Sequence, residues 1–209
     1  MTKVYVVDDD AQVRDALLRL LASAGHAVQG FDSAAQCLDG LQPGETACLV
    51  LDLAMPGLDG LQLQQLLQQR APDLPMVFLT GRGDIAASVK AMKHGATDFL
   101  TKPVDDELLL EAVAEALAEA RRRQGLLQRT ASLAQRLDTL TARERQVLDL
   151  VLAGRLNKQI AGELGTSEKT IKFHRGNLMH KMGVRSVAEL ARWVADAGLP
   201  AAPSGTKVQ

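Results

Sequence analysis

The 209-residue sequence has few cysteines and no long apolar run. Cys37 and Cys48 are its only cysteines, too few for a disulfide framework and not spaced as a C-x-x-C pair, so both are expected to fill the core. No apolar run approaches the roughly 18 residues that a membrane-spanning helix needs, and no signal-peptide segment opens the sequence. These absences exclude a disulfide-stapled secreted protein and a membrane-spanning one. We expect a globular protein of the cytoplasm with no membrane partner.

The formal net charge of -1 conceals two oppositely charged halves. Residues 1–120 carry 8 basic and 18 acidic side chains, a net charge of -10, whereas residues 121–209 carry 16 basic and 7 acidic ones, a net charge of +9. A basic surface attracts nucleic acid and an acidic one attracts cations. The two halves are therefore expected to have different partners.

The acidic half alternates short β-branched runs with amphipathic segments. The strand-like runs are residues 4–7, 27–31, 48–51, 77–79 and 99–100. Over residues 12–24, apolar side chains recur at helical spacing, as in a helix that covers one face of a sheet. Strands that alternate with helices favour right-handed βαβ units. We therefore predict an α/β fold over residues 1–120, with a five-stranded, doubly wound parallel sheet.

A helical pattern with few breaks follows, from residue 105 to about residue 139. It contains no proline and a single glycine, Gly125. The pattern fits one long helix or two helices hinged near Gly125, and the sequence leaves both open. We assign residues 121–140 to a helical linker.

Residues 141–200 are expected to form an all-α domain of four short helices. The helix-start signals are two capping boxes and two single caps: Thr141 with Glu144, Ser186 with Glu189, Asn157 before residues 158–164, and Ser167 before a helix to about Met182. The last stretch, residues 201–209, contains proline, serine and glycine and is expected to be a flexible tail.

Polar side chains follow four of the five predicted strands. The first strand is followed by Asp8, Asp9 and Asp10, the third by Asp52, the fourth by Thr80 and the fifth by Lys102 and Pro103. The carboxyl ends of parallel strands form one edge of the sheet, where ligands bind. Carboxylates without neighbouring histidine or cysteine favour Mg²⁺, which prefers a phosphate as a further ligand. The pattern therefore predicts magnesium-dependent phosphoryl chemistry.

This arrangement resembles the receiver domain of two-component response regulators, which has a flavodoxin-like fold. The resemblance implies these roles: Asp52 as phosphoacceptor, Asp8, Asp9, Asp52 and the backbone carbonyl of Ala54 as Mg²⁺ ligands, Thr80 as the switch hydroxyl, and Lys102 as the counter-charge of the phosphate. It also implies a cis Lys102–Pro103 peptide. Phe99 occupies the position of an aromatic that rotates on phosphorylation, so residues 84–93 and 98–101 should form a bistable face. Such a domain catalyses only its own phosphorylation and dephosphorylation, so no further enzyme activity is expected.

Two other kinds of protein place a ligand or a nucleophile after the first strand. A dinucleotide-binding fold needs a glycine-rich turn there, whereas three aspartates would repel a pyrophosphate. A phosphatase of the haloacid dehalogenase type also uses an aspartate, but Gln12 stands where that family has threonine or valine. Both are disfavoured.

Residues 141–197 resemble the LuxR-type helix-turn-helix. The residues that carry the resemblance are 141–148, 157–161 and 167–174, with Gly154, Leu164, Lys181 and Met182. With a receiver in front, the chain resembles the NarL/FixJ class of response regulators. The resemblance implies these partners: a sensor histidine kinase, double-stranded promoter DNA, RNA polymerase and, on phosphorylation, a second copy of the chain.

A helix from Ser167 to Met182 would place Ile171 and Leu178 on an apolar side and basic residues opposite. Such a helix fits the major groove of DNA. By resemblance, Lys172 and Phe173 reach base edges. Some members of the family make a further contact from the next turn of the helix, at the position of Gly176, which has no side chain, so that contact is left to Lys169 or Arg175. The candidates for phosphate contacts are Lys158, Thr170, His174, Lys181 and Arg185.

The predicted function is a phosphorylation-controlled transcriptional regulator. The alternative is a phosphorylation-independent DNA-binding protein whose receiver serves only as an interaction scaffold. The intact set of Asp9, Asp52, Thr80 and Lys102 favours phosphorylation.

Overall fold

The computed structural model describes residues 2–42, 44–81 and 85–196. The chain forms two compact units, Met1–Gln124 and Gly125–Gln209. Two expectations lie outside the described residues: the flexible tail over residues 201–209, and Asp84 at the start of the predicted bistable face. No helix in the described ranges combines the length and the apolar character needed to cross a membrane.

The first unit contains a five-stranded sheet in which all neighbouring strands pair in parallel, in the order β2-β1-β3-β4-β5. The strands are β1 Lys3–Val7, β2 Ala27–Phe31, β3 Ala47–Asp52, β4 Met76–Thr80 and β5 Asp98–Thr101. All five predicted strands are confirmed, and four of them extend by one residue at one or both ends. Because the order reverses at β1, the carboxyl ends of β1 and β3 lie side by side at the edge where ligands bind.

Helices cover both faces of this sheet, which confirms the doubly wound prediction. They are α1 Ala11–Ser23, α2 Ala34–Gly40, α3 Gly60–Arg70, α4 Ile85–Lys93 and α5 Asp106–Asp138. Side chains alternate along β3, so Leu49 and Leu51 pack in a core with Leu63 of α3, whereas Val50 packs in a second core with Leu109 of α5.

Cys37 and Cys48 are both buried and not joined by a disulfide. They lie in the two different cores, on opposite faces of the sheet. Burial raises the pKa of both thiols to about 12, so neither forms a reactive thiolate near neutral pH. Both cysteines fill the core, as predicted.

The long helical pattern after the fifth strand forms a single helix, α5, of 33 residues. The division between the two units falls within α5, after Gln124. Leu133 of α5 and Leu140 after it, which the sequence places in the linker, are buried in the core of the second unit. An apolar stripe on the last turns of α5 therefore belongs to the second unit's core.

The second unit contains the four predicted helices, α6 Ala142–Leu152, α7 Asn157–Glu163, α8 Glu168–Met182 and α9 Val187–Asp196. The capping box of Thr141 and Glu144 is present, and Ser167 caps α8 as predicted. In the second box Ser186 accepts from the Glu189 N–H, but the Glu189 carboxylate accepts from the N–H of Arg185. That box is therefore only half formed.

The prediction that Asn157 caps a helix was wrong. Helix α7 begins at Asn157, and its N-cap is Leu156, which offers no side-chain cap. The N–H of Leu156 instead donates to the side chain of Gln159 at 2.8 Å. The carboxamide oxygen of Asn157 accepts from Arg175 of α8 at 2.7 Å, a tertiary contact that local capping rules do not contain.

An ion pair between a buried carboxylate and a half-buried lysine joins the start of α6 to the end of α8. Glu144 is only 3% exposed, and its Oε2 accepts from Lys181 Nζ at 2.6 Å and from the Thr141 N–H at 2.9 Å. These bonds, chiefly that of Lys181, lower the pKa of Glu144. Lys181 also donates to the Thr139 carbonyl at 3.0 Å. Lys181 is thus paired within the protein, whereas the sequence indicated a DNA phosphate as its partner.

We expect Lys181→Met to destabilise the second unit by about 1 to 3 kcal/mol, because it leaves a buried carboxylate with one partner fewer. Glu144→Gln should also destabilise it at pH 7. A lowered folded-state pKa stabilises a protein above the unfolded pKa of glutamate, about 4.3, and that contribution is lost as pH falls through the folded-state pKa. The difference between wild type and Glu144→Gln should therefore shrink below about pH 4.

Urea unfolding followed by fluorescence measures this unit selectively, because Trp193 of α9 is the chain's one tryptophan. Glu163→Gln is the matched control, since the Glu163 carboxylate is 44% exposed and 3.5 Å from Arg155. It should change stability by less than about 0.5 kcal/mol. A Glu144→Gln effect that persisted unchanged into acid would contradict the ion pair.

Candidate functional site

Two buried carboxylates share one cation at the carboxyl edge of the sheet. Asp8 follows β1, Asp52 ends β3, and Lys102 follows β5. Lys102 Nζ lies 2.7 Å from Asp8 Oδ2 and 3.1 Å from Asp52 Oδ1. Asp8 is 1% exposed and Asp52 6% exposed. The predicted residues therefore meet, although they come from three separate strands.

A third carboxylate completes a cluster with room for a metal ion. Asp8, Asp9 and Asp52 each offer a carboxylate oxygen, and these oxygens lie within 4.8 Å of one another. Two hydrogen bonds hold Asp8 in place. Its Oδ1 accepts from the backbone N–H of Asp10 at 2.9 Å, and its backbone carbonyl accepts from the Arg14 guanidinium at 2.7 Å. Three carboxylates against one ammonium leave a surplus of negative charge. An all-oxygen set with this surplus fits Mg²⁺.

The surroundings of Asp52 shift its pKa in opposite directions. Burial raises the pKa of Asp52 and nearby Asp8 raises it further, whereas Lys102 and the N–H of Ala54 act to lower it. Burial disfavours the charged form of Lys102, but its bonds to the two carboxylates outweigh this and raise its pKa. Lys102 therefore keeps its positive charge. The backbone of Ala54, expected to offer its carbonyl to a metal, lies near enough to the Asp52 carboxylate to affect its pKa.

The predicted switch residues line the neighbouring strands. Thr80 ends β4 and is 3% exposed, and its Oγ1 donates to the carbonyl of Gly81 at 3.1 Å. A Cβ built on Gly81, the residue after Thr80, would meet no described atom outside its chain neighbours within 4 Å. Half-buried Phe99 of β5 stacks on Phe78 with ring centroids 6.4 Å apart. The Lys102–Pro103 peptide is cis, as the resemblance implies.

The backbone beneath Asp52 depends on Gly60, which the sequence analysis did not single out. A Cβ at Gly60 would lie 2.5 Å from the Asp52 carbonyl oxygen and 3.0 Å from Leu53 Cα. The Gly60 N–H donates to the Leu53 carbonyl at 3.0 Å. Asp59 caps α3 directly before it. The signal available in the sequence was a glycine at the first helical position after a capping aspartate.

In the second unit, α8 carries the predicted basic surface. Its buried side holds Ile171, Leu178 and Met182, as the periodicity predicts. The exposed residues of α8 are Glu168, Lys169, Lys172, Phe173, Gly176 and His180. Phe173 is 64% exposed, and its ring meets that of His174 edge to face at 5.9 Å.

A cleft between α7 and α8 adjoins this surface and adds two cations, Lys158 and Arg175, to Lys172. Its volume is about 490 Å³, and its lining residues are Leu156, Asn157, Lys158, Glu168, Lys172 and Arg175. Asn157 orients the Arg175 guanidinium, as described above. The structure thus brings together Lys158, Lys172 and Arg175, which the sequence proposed separately.

The remaining predicted DNA contacts are less tightly grouped. The Thr170 hydroxyl lies 2.9 Å from Ser167 Oγ at the start of α8, and His174 is half-buried in its middle. Arg185 is exposed just after α8. The ammonium of Lys181, also a predicted DNA contact, donates to the Glu144 carboxylate and the Thr139 carbonyl.

Two family models match the chain. Residues 4–114 match the response regulator receiver domain, and residues 138–194 match the bacterial regulatory proteins of the luxR family.

Curated relatives match over most of their length. The chain is 44% identical to Nodulation protein W of Bradyrhizobium diazoefficiens, covering 95% of this chain and 87% of that protein. It is 43% identical to Response regulator protein TodT of Pseudomonas putida, covering 90% and 83%. It is 41% identical to Transcriptional regulatory protein FixJ of Bradyrhizobium diazoefficiens, covering 94% and 96%.

Solved structures give the same result. The response regulator StyR has 45% identity and a TM-score of 0.84, covering 93% of this chain and 98% of that one. Full-length FixJ from B. japonicum has 40% identity and a TM-score of 0.57, covering 95% and 98%. The chain therefore belongs to the two-component response regulators in which a receiver domain precedes a LuxR-type DNA-binding domain.

Proposed function

We propose that Asp52 accepts a phosphoryl group from a sensor histidine kinase and that this modification controls binding of α8 to promoter DNA. The observation that carries the proposal is the Lys102 ammonium between buried Asp8 and Asp52, beside the exposed carboxylate of Asp9. We assign residues 1–120 to the receiver, 121–140 to a helical linker and 141–200 to the DNA-binding domain. The protein turns over no substrate beyond its own phosphorylation and dephosphorylation.

The chemistry requires that the Asp52 oxygen approach an anionic phosphoryl group. An Asp52 oxygen–phosphorus bond forms while the nitrogen–phosphorus bond of a kinase phosphohistidine breaks. The Lys102 ammonium, already 3.1 Å from Asp52 Oδ1, offsets the charge that gathers on the phosphoryl oxygens. Asp8, Asp9, Asp52 and the Ala54 carbonyl would hold Mg²⁺. A bound Mg²⁺ would neutralise further phosphoryl charge.

The phosphorylated side chain then changes the conformation of Thr80 and Phe99 on the neighbouring strands. The new group adds about -1.5 to -2 of charge and strong acceptor oxygens, by analogy with other phosphorylated residues. Thr80 Oγ1 exchanges the Gly81 carbonyl for a phosphate oxygen, and Phe99 rotates into the space behind it. The face formed by residues 84–93 and 98–101 changes shape and pairs two copies of the chain as a homodimer.

In the second unit, α8 enters the major groove, and Lys172 and Phe173 contact base edges. Lys158 and Arg175 of the cleft flank that contact, and Lys169 adds positive charge to the same face. Thr170, His174 and Arg185 are further DNA contacts. We propose RNA polymerase as a further partner at the bound promoter. We also propose that the protein is located in the cytoplasm. A phosphorylation-independent regulator would use the same α8 surface. In such a protein, however, the arrangement of Asp8, Lys102 and Asp52 would have no function.

Mg²⁺ should raise the unfolding temperature of the first unit, since a ligand that binds only the folded state stabilises it by about 2.7 kcal/mol at 100 times its Kd. Asp9→Asn should abolish most of this shift in scanning calorimetry. Asp15→Asn is the matched control, because it removes an exposed carboxylate from α1 outside the cluster. Equal magnesium shifts in both variants would sink the proposed metal site.

With Mg²⁺ and a small acyl phosphate, the intact chain should gain the mass of one phosphoryl group, measured by mass spectrometry. Asp52→Asn should gain none, because it removes the nucleophile, while Asp15→Asn should label like the wild type. Lys102→Met should label slowly, because its loss leaves the phosphoryl charge without its ammonium. Labelling of Asp52→Asn at the wild-type rate would overturn the assignment of the phosphoacceptor.

Binding to a duplex selected from a random pool should depend on Lys172 and Lys158 in different ways, measured by fluorescence anisotropy. Lys172→Ala should cost about 1 to 3 kcal/mol on the selected duplex and less on random DNA. Lys158→Ala should weaken both duplexes alike and reduce the log-log salt slope by about 0.9. Equal losses on both duplexes after Lys172→Ala would contradict a base contact.

A further inference from the structure

The C-terminal end of α8 is fixed by an arginine from outside the helix. Arg136, in the last turn of α5, donates from Nη1 to the carbonyl of Met182 at 2.5 Å. Met182 is the last residue of α8, and carbonyls at this end have no partner within the helix. The guanidinium charge also lies at the negative end of the α8 dipole. The contact therefore stabilises this helix end both by a hydrogen bond and by charge.

The same guanidinium contacts a third helix. Arg136 Cζ lies 5.2 Å from the ring centroid of Trp193 in α9. A planar guanidinium can stack on an aromatic ring while its N–H groups donate in the plane, which an ammonium cannot do. Arg136 thus joins α5, α8 and α9 through one side chain.

The residue after α8 makes room for this contact. Gly183 has a φ of 67°, in the left-handed region that glycine adopts most easily. A Cβ on Gly183 would clash with Nη1 of Arg136. Glycine at this position therefore ends α8 and lets the guanidinium reach the Met182 carbonyl.

The position of this end decides where the reading side chains lie. Phe173 and Met182 are nine residues apart, which is about 14 Å along a helix axis. A tilt of about 5° about the Met182 end would move Phe173 by about 1 Å over that length. Hydrogen bonds to base edges tolerate only a few tenths of an ångström, so a small loss of anchoring at Met182 is enough to misplace Lys172.

We infer that Arg136 is a positioning residue for DNA recognition, which sets the orientation of Lys172 and Phe173 by holding the far end of α8 against α5 and α9. The inference rests on the proposed role of α8 in reading DNA. Because Arg136 acts through the Met182 carbonyl and the Trp193 ring, its loss should reduce discrimination between DNA sequences more than overall attraction to DNA.

The test compares Arg136→Met with Arg122→Met in the full-length chain. Both variants remove one positive charge from α5, and Arg122 is exposed in the first unit. We expect Arg136→Met to raise the Kd for the selected duplex by about tenfold, the size of one good base contact, relative to Arg122→Met. Random duplex should be bound equally by the two variants. Equal ratios of selected to random affinity in the two variants would overturn the inference.

Two further measurements separate positioning from loss of folding. Fluorescence of Trp193 should shift in Arg136→Met, because the guanidinium charge no longer lies over the indole ring, while urea unfolding confirms a folded second unit. Arg136→Lys keeps a donor for the Met182 carbonyl and should recover part of the lost discrimination. If Arg136→Met is unfolded, Arg136→Lys alone decides the matter: discrimination identical to the wild type, together with an unshifted Trp193 spectrum, contradicts the inference.

Failure of the proposed function has a different signature. In that case the wild-type chain shows no preferred duplex, or Lys172→Ala leaves its preference unchanged. Failure of the positioning role alone leaves both of those results intact and affects only the Arg136 variants.

Discussion

The Lys102 ammonium between two buried carboxylates is the interaction on which the first unit's chemistry depends. Burying Asp8 and Asp52 side by side costs free energy unless a cation is paired with them, and Lys102 supplies that cation from the end of β5. Asp8 and Asp52 lie side by side because β1 pairs directly with β3. The arrangement remains incompletely neutralised because Asp9 adds a third carboxylate. That deficit of positive charge suits the edge to a metal ion, which together with Lys102 would offset the negative charge of a phosphoryl group.

The positive charge of the second half has two physical roles. Lys158, Lys172 and Arg175 face one cleft at the surface that we propose reads DNA. Lys181 and Arg136 instead hold the opposite end of α8, one through buried Glu144 and the other through the Met182 carbonyl. A net charge of +9 is therefore not a measure of DNA-facing charge. Part of it keeps the reading helix in place.

The sequence predicted the sheet, the helices and the edge residues because those features follow from local rules. Period-two and helical patterns locate the elements, capping residues locate most helix ends, and parallel topology gathers strand-end side chains without further information. The interpretation of Asn157 was wrong because Arg175, 18 positions away in the chain, competes for its carboxamide. Lys181 and Arg136 find partners on other helices in the same way. Such pairings depend on how helices pack, which no local pattern encodes.

Phosphorylation of Asp52 is expected to change the affinity of α8 for DNA. The most direct measurement is a titration of the selected duplex with the full-length chain before and after Mg²⁺ and acyl phosphate, with the labelled fraction determined by mass spectrometry. We expect the wild-type Kd to change by about tenfold, within the usual range of coupling between two sites, while the Kd of Asp52→Asn does not change. A fully labelled wild-type chain that binds the duplex with unchanged affinity would contradict it.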